Sequence, residues 1–314
     1  MTERRPLFER FPGLRAKIPF RPLASLPTPV EHCPDIGLWV KRDDRTHRGG
    51  GGAKIRKLEF LLPTLRAGSC ACGPRGSNWL LTLQECAEEV KIFTFPQHYN
   101  SFAAGNARRL RPTRRFADTF HFALGMLAEA PRILAQPGRL LPMGGSNPVS
   151  TLGYVNAGLE LGEQVRRGEC PEPDAVFIAL GTCGTAAGLS LGLALAGLRP
   201  RLFAVRITIP LIARLSRMKR LADRCAGILG LSPAPSVDVQ IVRKFWGGYA
   251  KPTPAGRKAQ KVFAGQGIVL DTSYTAKVAA AALELAPGFQ TPLFWHTYAP
   301  PHYHKDPSPC ETFG

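Results

Sequence analysis

Short apolar runs alternate with segments of helical period along almost the whole chain, and this alternation restricts the fold more than any other feature. Gly37–Val40 reads as a strand before a helix from about Lys54, and Val90–Phe95 as a strand before a helix over Ala103–Leu110. In the second half Leu152, Val155, Leu159 and Val165 mark a helix. Strands are then expected at Ala175–Leu180, Leu202–Ile207, Val239–Val242, Ile268–Asp271 and Leu293–Trp295. Between them fall helices over Ala186–Leu198, Pro210–Leu229, Ala255–Ala264 and Ala276–Leu285. Such a pattern predicts an α/β fold with open, mostly parallel twisted sheets covered by helices. Ligands in such folds bind at the carboxyl ends of the strands.

With 314 residues, 44% of them hydrophobic, the chain can build one large or two ordinary domains without staples. Its most apolar stretch, Ala186–Leu198, is too short and too interrupted by glycine to span a bilayer, so no membrane partner is expected. The first residues carry arginines and prolines but no continuous hydrophobic core, which reads as mature cytoplasmic protein. Eight scattered cysteines, with a single residue between Cys70 and Cys72, match neither a zinc ribbon nor a disulfide framework and read as reduced thiols. His302 and His304 form an HxH without acidic or cysteine partners at ligand spacing, so no metal is expected. The net charge of +18 is dispersed and accompanied by no nucleic-acid module. It fits an anionic cofactor or small substrate, with nucleic-acid binding as the last alternative.

Two segments carry chemistry. Gly49-Gly50-Gly51-Gly52-Ala53-Lys54 opens directly onto a helix. Glycine lets backbone lie against a flat ligand, and an amine in a closed, partly apolar site loses its proton readily, which suits Schiff-base chemistry. The plainer alternative is a surface lysine after a flexible loop. In the second segment, strand Ala175–Leu180 runs into Gly181-Thr182-Cys183-Gly184-Thr185 and then a helix, so backbone N–H groups beside the helix dipole can hold a phosphate. It is neither a Walker A loop nor GxGxxG, and a turn packing a helix tightly onto a sheet is the alternative.

These residues belong to an ordered set. Leu26-Pro27-Thr28-Pro29-Val30-Glu31, Trp39-Val40-Lys41-Arg42-Asp43-Asp44, GGAKIRKLEF, Gly76-Ser77-Asn78, Gly144-Gly145-Ser146-Asn147 with Gly153-Tyr154, GTCGTAAG, Gly248-Tyr249, Leu270-Asp271-Thr272-Ser273-Tyr274-Thr275-Ala276-Lys277 and Phe294-Trp295-His296-Thr297 follow one another. From Pro6 to about Thr297 the chain resembles the fold-type II pyridoxal-phosphate enzymes of the 1-aminocyclopropane-1-carboxylate deaminase and D-cysteine desulfhydrase family.

The resemblance implies a pyridoxal 5'-phosphate cofactor carried by Lys54, which would also shuttle the substrate's α-proton. Asn78 would bond the cofactor's phenolic oxygen, Ser77 would meet the substrate carboxylate, and Gly181, Thr182, Cys183, Gly184 and Thr185 would hold the phosphate. Tyr274 would lie near the ring and Tyr249 on the substrate side; outside this context each reads as a core aromatic with a satisfied hydroxyl. Thr275 stands where the deaminase subgroup has a glutamate, and Thr297 lies on another loop near the ring. Neutral hydroxyls at the pyridine nitrogen favour rapid β-elimination, hence the desulfhydrase side. The implied domains are a large one from residues 1–53 plus 155–314 and a smaller inserted one from 54–154. A homodimer acting on a small amino acid is expected.

The chain also departs from the family pattern. Ala53 replaces an asparagine, Trp79 a histidine or glutamine, GSCACGPRG (68–76) lacks the expected apolar strand, and HTYAPPHYHKDPSPCETFG replaces a glycine-rich turn. Cyclopropane ring opening is the alternative within the family. A cofactor-binding pseudoenzyme with a sensing or interaction role is the alternative from another class.

Overall fold

The computed structural model describes residues 5–47, 49–97, 100–135 and 138–298, so His302, His304 and Cys310 lie outside the described residues. Two short helices, α1 (Pro6–Arg10) and α2 (Leu14–Lys17), precede a hairpin of β1 (Val30–Cys33) and β2 (Leu38–Arg42). Helix α3 (Ala53–Leu61) leads into β3 (Cys70–Pro74), α4 (Asn78–Cys86), β4 (Lys91–Phe95), α5 (Ser101–Arg109), β5 (Arg114–Arg115), α6 (Thr119–Ala135) and β6 (Leu140–Leu141). There follow α7 (Pro148–Arg166), β7 (Ala175–Leu180), α8 (Gly184–Leu195), β8 (Arg201–Arg206), α9 (Leu215–Ile228), β9 (Val239–Val242), α10 (Pro254–Gly265), α11 (Thr275–Leu285) and β10 (Pro292–His296).

The strands form two sheets, a six-stranded one in the order β1-β2-β10-β7-β8-β9 and a four-stranded one in the order β5-β4-β3-β6. The β1–β2 pair is antiparallel and the other pairs are parallel. This is the α/β architecture expected from the alternating pattern. Strands β7 and β8 are apolar runs because helices cover both their faces. Val176 and Ile178 pack with Leu189 and Leu193 of α8, whereas Phe177 packs on the other face with Phe263 of α10 and Ala279 of α11. All four strands of the smaller sheet fall within residues 54–154 and all six of the larger fall outside, so we propose to keep that division for the two lobes.

Two local expectations are corrected. Ile268–Asp271 forms no strand: Ile268 and Leu270 are buried against the α10–α11 face, and the Leu270 carbonyl accepts from Gln260 Nε2 at 2.7 Å rather than from a neighbouring strand. Conversely, Cys70–Pro74, read as lacking a strand, is β3 at the centre of the smaller sheet. Its small residues lie between β4 and β6 under the apolar cover of α4, with Ala71 against Leu80 and Leu83.

Helices α7 and α8 cross nearly backbone to backbone. A β-carbon at Gly158 would fall 2.5 Å from the Gly192 carbonyl carbon, so side chains there would drive the helices apart. A buried ionic cluster fixes α3 to the larger sheet. Arg56 donates to Asp43 (Nη2 to Oδ1, 2.7 Å) and to Glu160 (Nη1 to Oε2, 2.9 Å), and Lys41 donates to Glu160 at 2.6 Å. Tyr154 and Trp295 both donate to Asp43 Oδ2. Burial opposes ionisation of Glu160, but Arg56 and Lys41 win and hold its carboxyl far below the usual range. Isolated buried charges would be costly; as a mutually satisfied set they fix the helix that carries Lys54 in its first turn.

Candidate active site

Between the sheets lies a cavity of about 450 Å³. Lys54, Ser77, Asn78, Gly181, Thr182, Cys183, Thr185, Tyr249, Tyr274 and Thr297 all line it, although they come from segments far apart in the chain. Topology explains the convergence. Ser77 and Asn78 follow the carboxyl end of β3, the 181–185 loop follows β7, and Thr297 follows β10, which are the strand ends where α/β folds leave room for ligands.

Lys54 sits in the first turn of α3, after Gly50, Gly51 and Gly52 at positive φ values of 92°, 93° and 49°. The Ala53 amide donates to the Thr297 carbonyl at 2.9 Å and ties this turn to the end of β10. Burial lowers the Lys54 pKa to about 8, against the opposing pull of Asp271. An appreciable fraction of the side chain is therefore the nucleophilic neutral amine near physiological pH.

Also lining the cavity, Cys183 has φ 74° and caps the start of α8, its thiol donating to the Ile212 carbonyl at 3.3 Å. A non-glycine residue in this conformation costs roughly 1–3 kcal/mol, which the surrounding packing must hold in place. Gly184 lies beneath the loop rather than at its surface, and a β-carbon there would fall 2.6 Å from Ser146 Oγ and 3.1 Å from Lys57 Nζ. Lys57 itself was not singled out from the sequence. It is 1% exposed, and its Nζ donates to Ser146 Oγ at 3.0 Å and to the Gly144 carbonyl at 3.2 Å. Ser146 Oγ in turn lies 2.7 Å from Thr182 Oγ1. No carboxylate among the described residues pairs with Lys57, and burial followed by repulsion from Lys54 drives its pKa far down. The available signal was position: Lys57 is three residues beyond Lys54 and so lies one helical turn along the same face.

Pyridoxal phosphate fits these groups. A buried lysine amine without a counter-charge, a tight loop at the amino end of a twelve-residue helix, and hydroxyls on Thr182, Thr185 and Ser146 form an anion cradle, since an anion beside the amine favours its protonated form. The softened amine of Lys54 lines the same cavity.

Tyr249 and Tyr274 meet through their hydroxyls on one wall, and burial pushes both phenols up, Tyr274 the further, so both stay neutral. Ser77 caps α4, accepting from the Leu80 amide at 3.4 Å. Asn100, at the start of α5, donates to the Ala250 carbonyl and Ser273 Oγ, both at 2.7 Å, and so clasps the two loops that carry the tyrosines.

Thr275 departs from the expectation. It is fully buried, does not line the cavity, and exchanges bonds with Asp271: its hydroxyl donates to Oδ2 at 2.7 Å and accepts from the Asp271 amide at 3.0 Å. The position after Tyr274 is the first of α11, where a threonine hydroxyl reaches back to an aspartate four residues earlier. Trp79 fills space against the glycine turn instead of opening a hole; a β-carbon at Gly145 would fall 2.6 Å from its ring. Gln97 and Tyr298 also line the cavity and were missed, since neither sits in a motif.

Residues 22–297 match the family model described as pyridoxal-phosphate dependent enzyme. The chain belongs to that family. It is 31% identical over 301 residues to D-cysteine desulfhydrase of Klebsiella pneumoniae (strain 342), covering 88% of each chain, and 29% identical over the same length to that of Salmonella choleraesuis (strain SC-B67). Among solved structures, an ACC deaminase homologue superposes with a TM-score of 0.74 at 26% identity over 94% of this chain and 95% of that one. Threonine deaminase isoform 2 from Solanum lycopersicum shares the fold, with a TM-score of 0.62 at 16% identity over 94% and 89% of the two chains. The protein is thus a pyridoxal-phosphate-dependent enzyme of the lyase and deaminase kind. Among the described residues no helix is long and apolar enough to cross a membrane, and no three side chains group as metal ligands.

Proposed function

We propose that the protein cleaves D-cysteine, or a similar small amino acid with a leaving group on the β-carbon, to a 2-oxo acid and ammonia; with D-cysteine and water the products are pyruvate, ammonia and hydrogen sulfide. The observation that carries this reading is the charge of the wall: Lys54 is the only charged side chain lining the cavity among the described residues. Bound there, pyridoxal phosphate supplies a sink for the electron pair left on the α-carbon, as strong as protonation of its ring nitrogen allows. Among the described residues the cavity wall offers that nitrogen no acid. With Thr275 turned to Asp271, Thr297 is the remaining hydroxyl of the two, and it is neutral. A weak sink suits a thiolate that departs with its own electron pair and suits cyclopropane opening less.

In this reading Lys54 carries the cofactor, and its freed Nζ takes the α-proton, a task its pKa of about 8 fits. Asn78 meets the cofactor's phenolic oxygen. Gly181, Thr182, Cys183, Gly184 and Thr185, with Lys57 behind them, hold the phosphate. Ser77 and the amino end of α4 receive the substrate carboxylate, and Tyr249 and Tyr274 flank the reacting carbon. Relatives named D-cysteine desulfhydrase support the substrate. A cytoplasmic homodimer accompanies the proposal, supported for the compartment by Cys33, Cys70, Cys72, Cys170, Cys183 and Cys225, which form no disulfide.

Side-by-side assays test it. Pyruvate release from D-cysteine is expected to outpace 2-oxobutanoate release from 1-aminocyclopropane-1-carboxylate. A preference for the cyclopropane substrate overturns the assignment, and inactivity on both with cofactor bound moves the protein to a binding role.

A further inference from the structure

A second cleft, of about 310 Å³, opens on the smaller lobe and shares no lining residue with the first. Arg75, Thr94, Arg108, Leu110, Pro112 and Arg115 line it, and no carboxylate does. None of the three arginines forms an ion pair among the described residues. Arg75 is held by a bond from Nη2 to the Phe116 carbonyl at 2.5 Å, which leaves its buried Nε–H without an acceptor. Thr94 is fully buried, and its hydroxyl also has no partner among the described residues. Arg115 spends one nitrogen on the Leu110 carbonyl at 3.4 Å and keeps the rest of its fork free.

Buried polar groups without partners are rare, because each forfeits hydration for nothing. Two of them in a cleft with three unpaired guanidinium groups call for an oxygen-rich anion, whose charge suits the guanidinium groups and whose oxygens suit the fork geometry. A monocarboxylate has two oxygens and would leave donors idle; a phosphoryl group has three. Leu110, Pro112 and Ala107 give the cleft an apolar side where a small organic body can lie.

We propose that this cleft binds the phosphoryl group of a small phosphorylated metabolite, separately from the cofactor site. Arg75 lies between β3 and the Gly76-Ser77-Asn78 turn, and its amide donates to the Phe95 carbonyl at 3.0 Å. The anion therefore sits one backbone segment behind the wall that carries Ser77 and Asn78.

Calorimetric titration of the cofactor-containing protein with inorganic phosphate, glycerol 3-phosphate and malonate tests the proposal. Saturable binding of the two phosphates is expected, weaker by about tenfold or more in Arg108→Ala/Arg115→Ala, whose changes are at the surface, and weakened also in Thr94→Val. Tighter binding of the ester identifies a metabolite as ligand, and equal binding identifies free phosphate. If neither phosphate saturates, if malonate binds better than both, or if the arginine variant binds as the parent does while melting at the same temperature, the cleft is not a phosphoryl site.

Discussion

The Tyr249 and Tyr274 hydroxyls lie 2.8 Å apart on the cavity wall, so one donates to the other and the outer oxygen is left to face a ligand. Both phenols are held neutral by burial, and a paired phenol delivers or receives a proton through its neighbour. Replacing Tyr274 with phenylalanine should lower kcat about 10²-fold, the lower range for loss of one proton-transfer group. Because the two act as a unit, Tyr249→Phe/Tyr274→Phe should cost little more than Tyr274→Phe alone. Additive losses in steady-state kinetics would mean that the hydroxyls work independently.

Lys57 should show effects of opposite sign on stability and on cofactor binding. Without cofactor its amine is buried with no counter-charge and gives up its proton at a cost, so Lys57→Met should raise the melting temperature of the cofactor-free protein. The same change should weaken pyridoxal phosphate binding by about tenfold or more, as expected for one lost charge-assisted bond. Gly184→Asp should also weaken it, by placing a carboxylate against Ser146 and Lys57. Thermal melts and equilibrium titration separate the two effects.

The rate of cofactor uptake should depend on pH through Lys54. Only the neutral amine attacks an aldehyde, so uptake by the cofactor-free protein should rise with pH and level off above about 8, not near the ordinary 10.5. The stability sign is consistent. A lysine whose folded pKa is lowered binds fewer protons folded than unfolded between these values, so its destabilising effect is complete below about 8 and fades as pH rises to 10.5. Stopped-flow absorbance across pH 6 to 11 checks the inflection.

The ionic cluster behind α3 should be fragile to partial removal. Glu160→Gln leaves Lys41 and Arg56 buried with less counter-charge and should cost about 3–5 kcal/mol, read by denaturant unfolding. The folded pKa of Glu160 is depressed, so its contribution is present above the unfolded value near 4.5 and is lost as pH falls toward the folded one. The loss in Glu160→Gln relative to the parent should therefore shrink in acid.

The legible parts of the molecule were those written in local pattern. The β7–loop–α8 junction is an apolar run followed by glycines and hydroxyls, and it stands where the pattern placed it. The strand at Cys70–Pro74 was illegible because its residues are small and its pairing with β4 and β6 is non-local. Thr275 misled because sequence order puts it beside Tyr274, whereas helical geometry turns its hydroxyl back to Asp271. Lys57 was hidden in plain view in GGAKIRKLEF, since nothing in a sequence distinguishes a buried lysine from a solvated one.

The measurement that bears most directly on the account is the position of the cofactor's covalent attachment. Borohydride reduction of the purified protein followed by peptide mass mapping should place the reduced pyridoxyl phosphate on Lys54, and Lys54→Ala should carry none. Finding the adduct on Lys57 or Lys277, or finding it unchanged in Lys54→Ala, would contradict the assignment of this cavity's chemistry to Lys54.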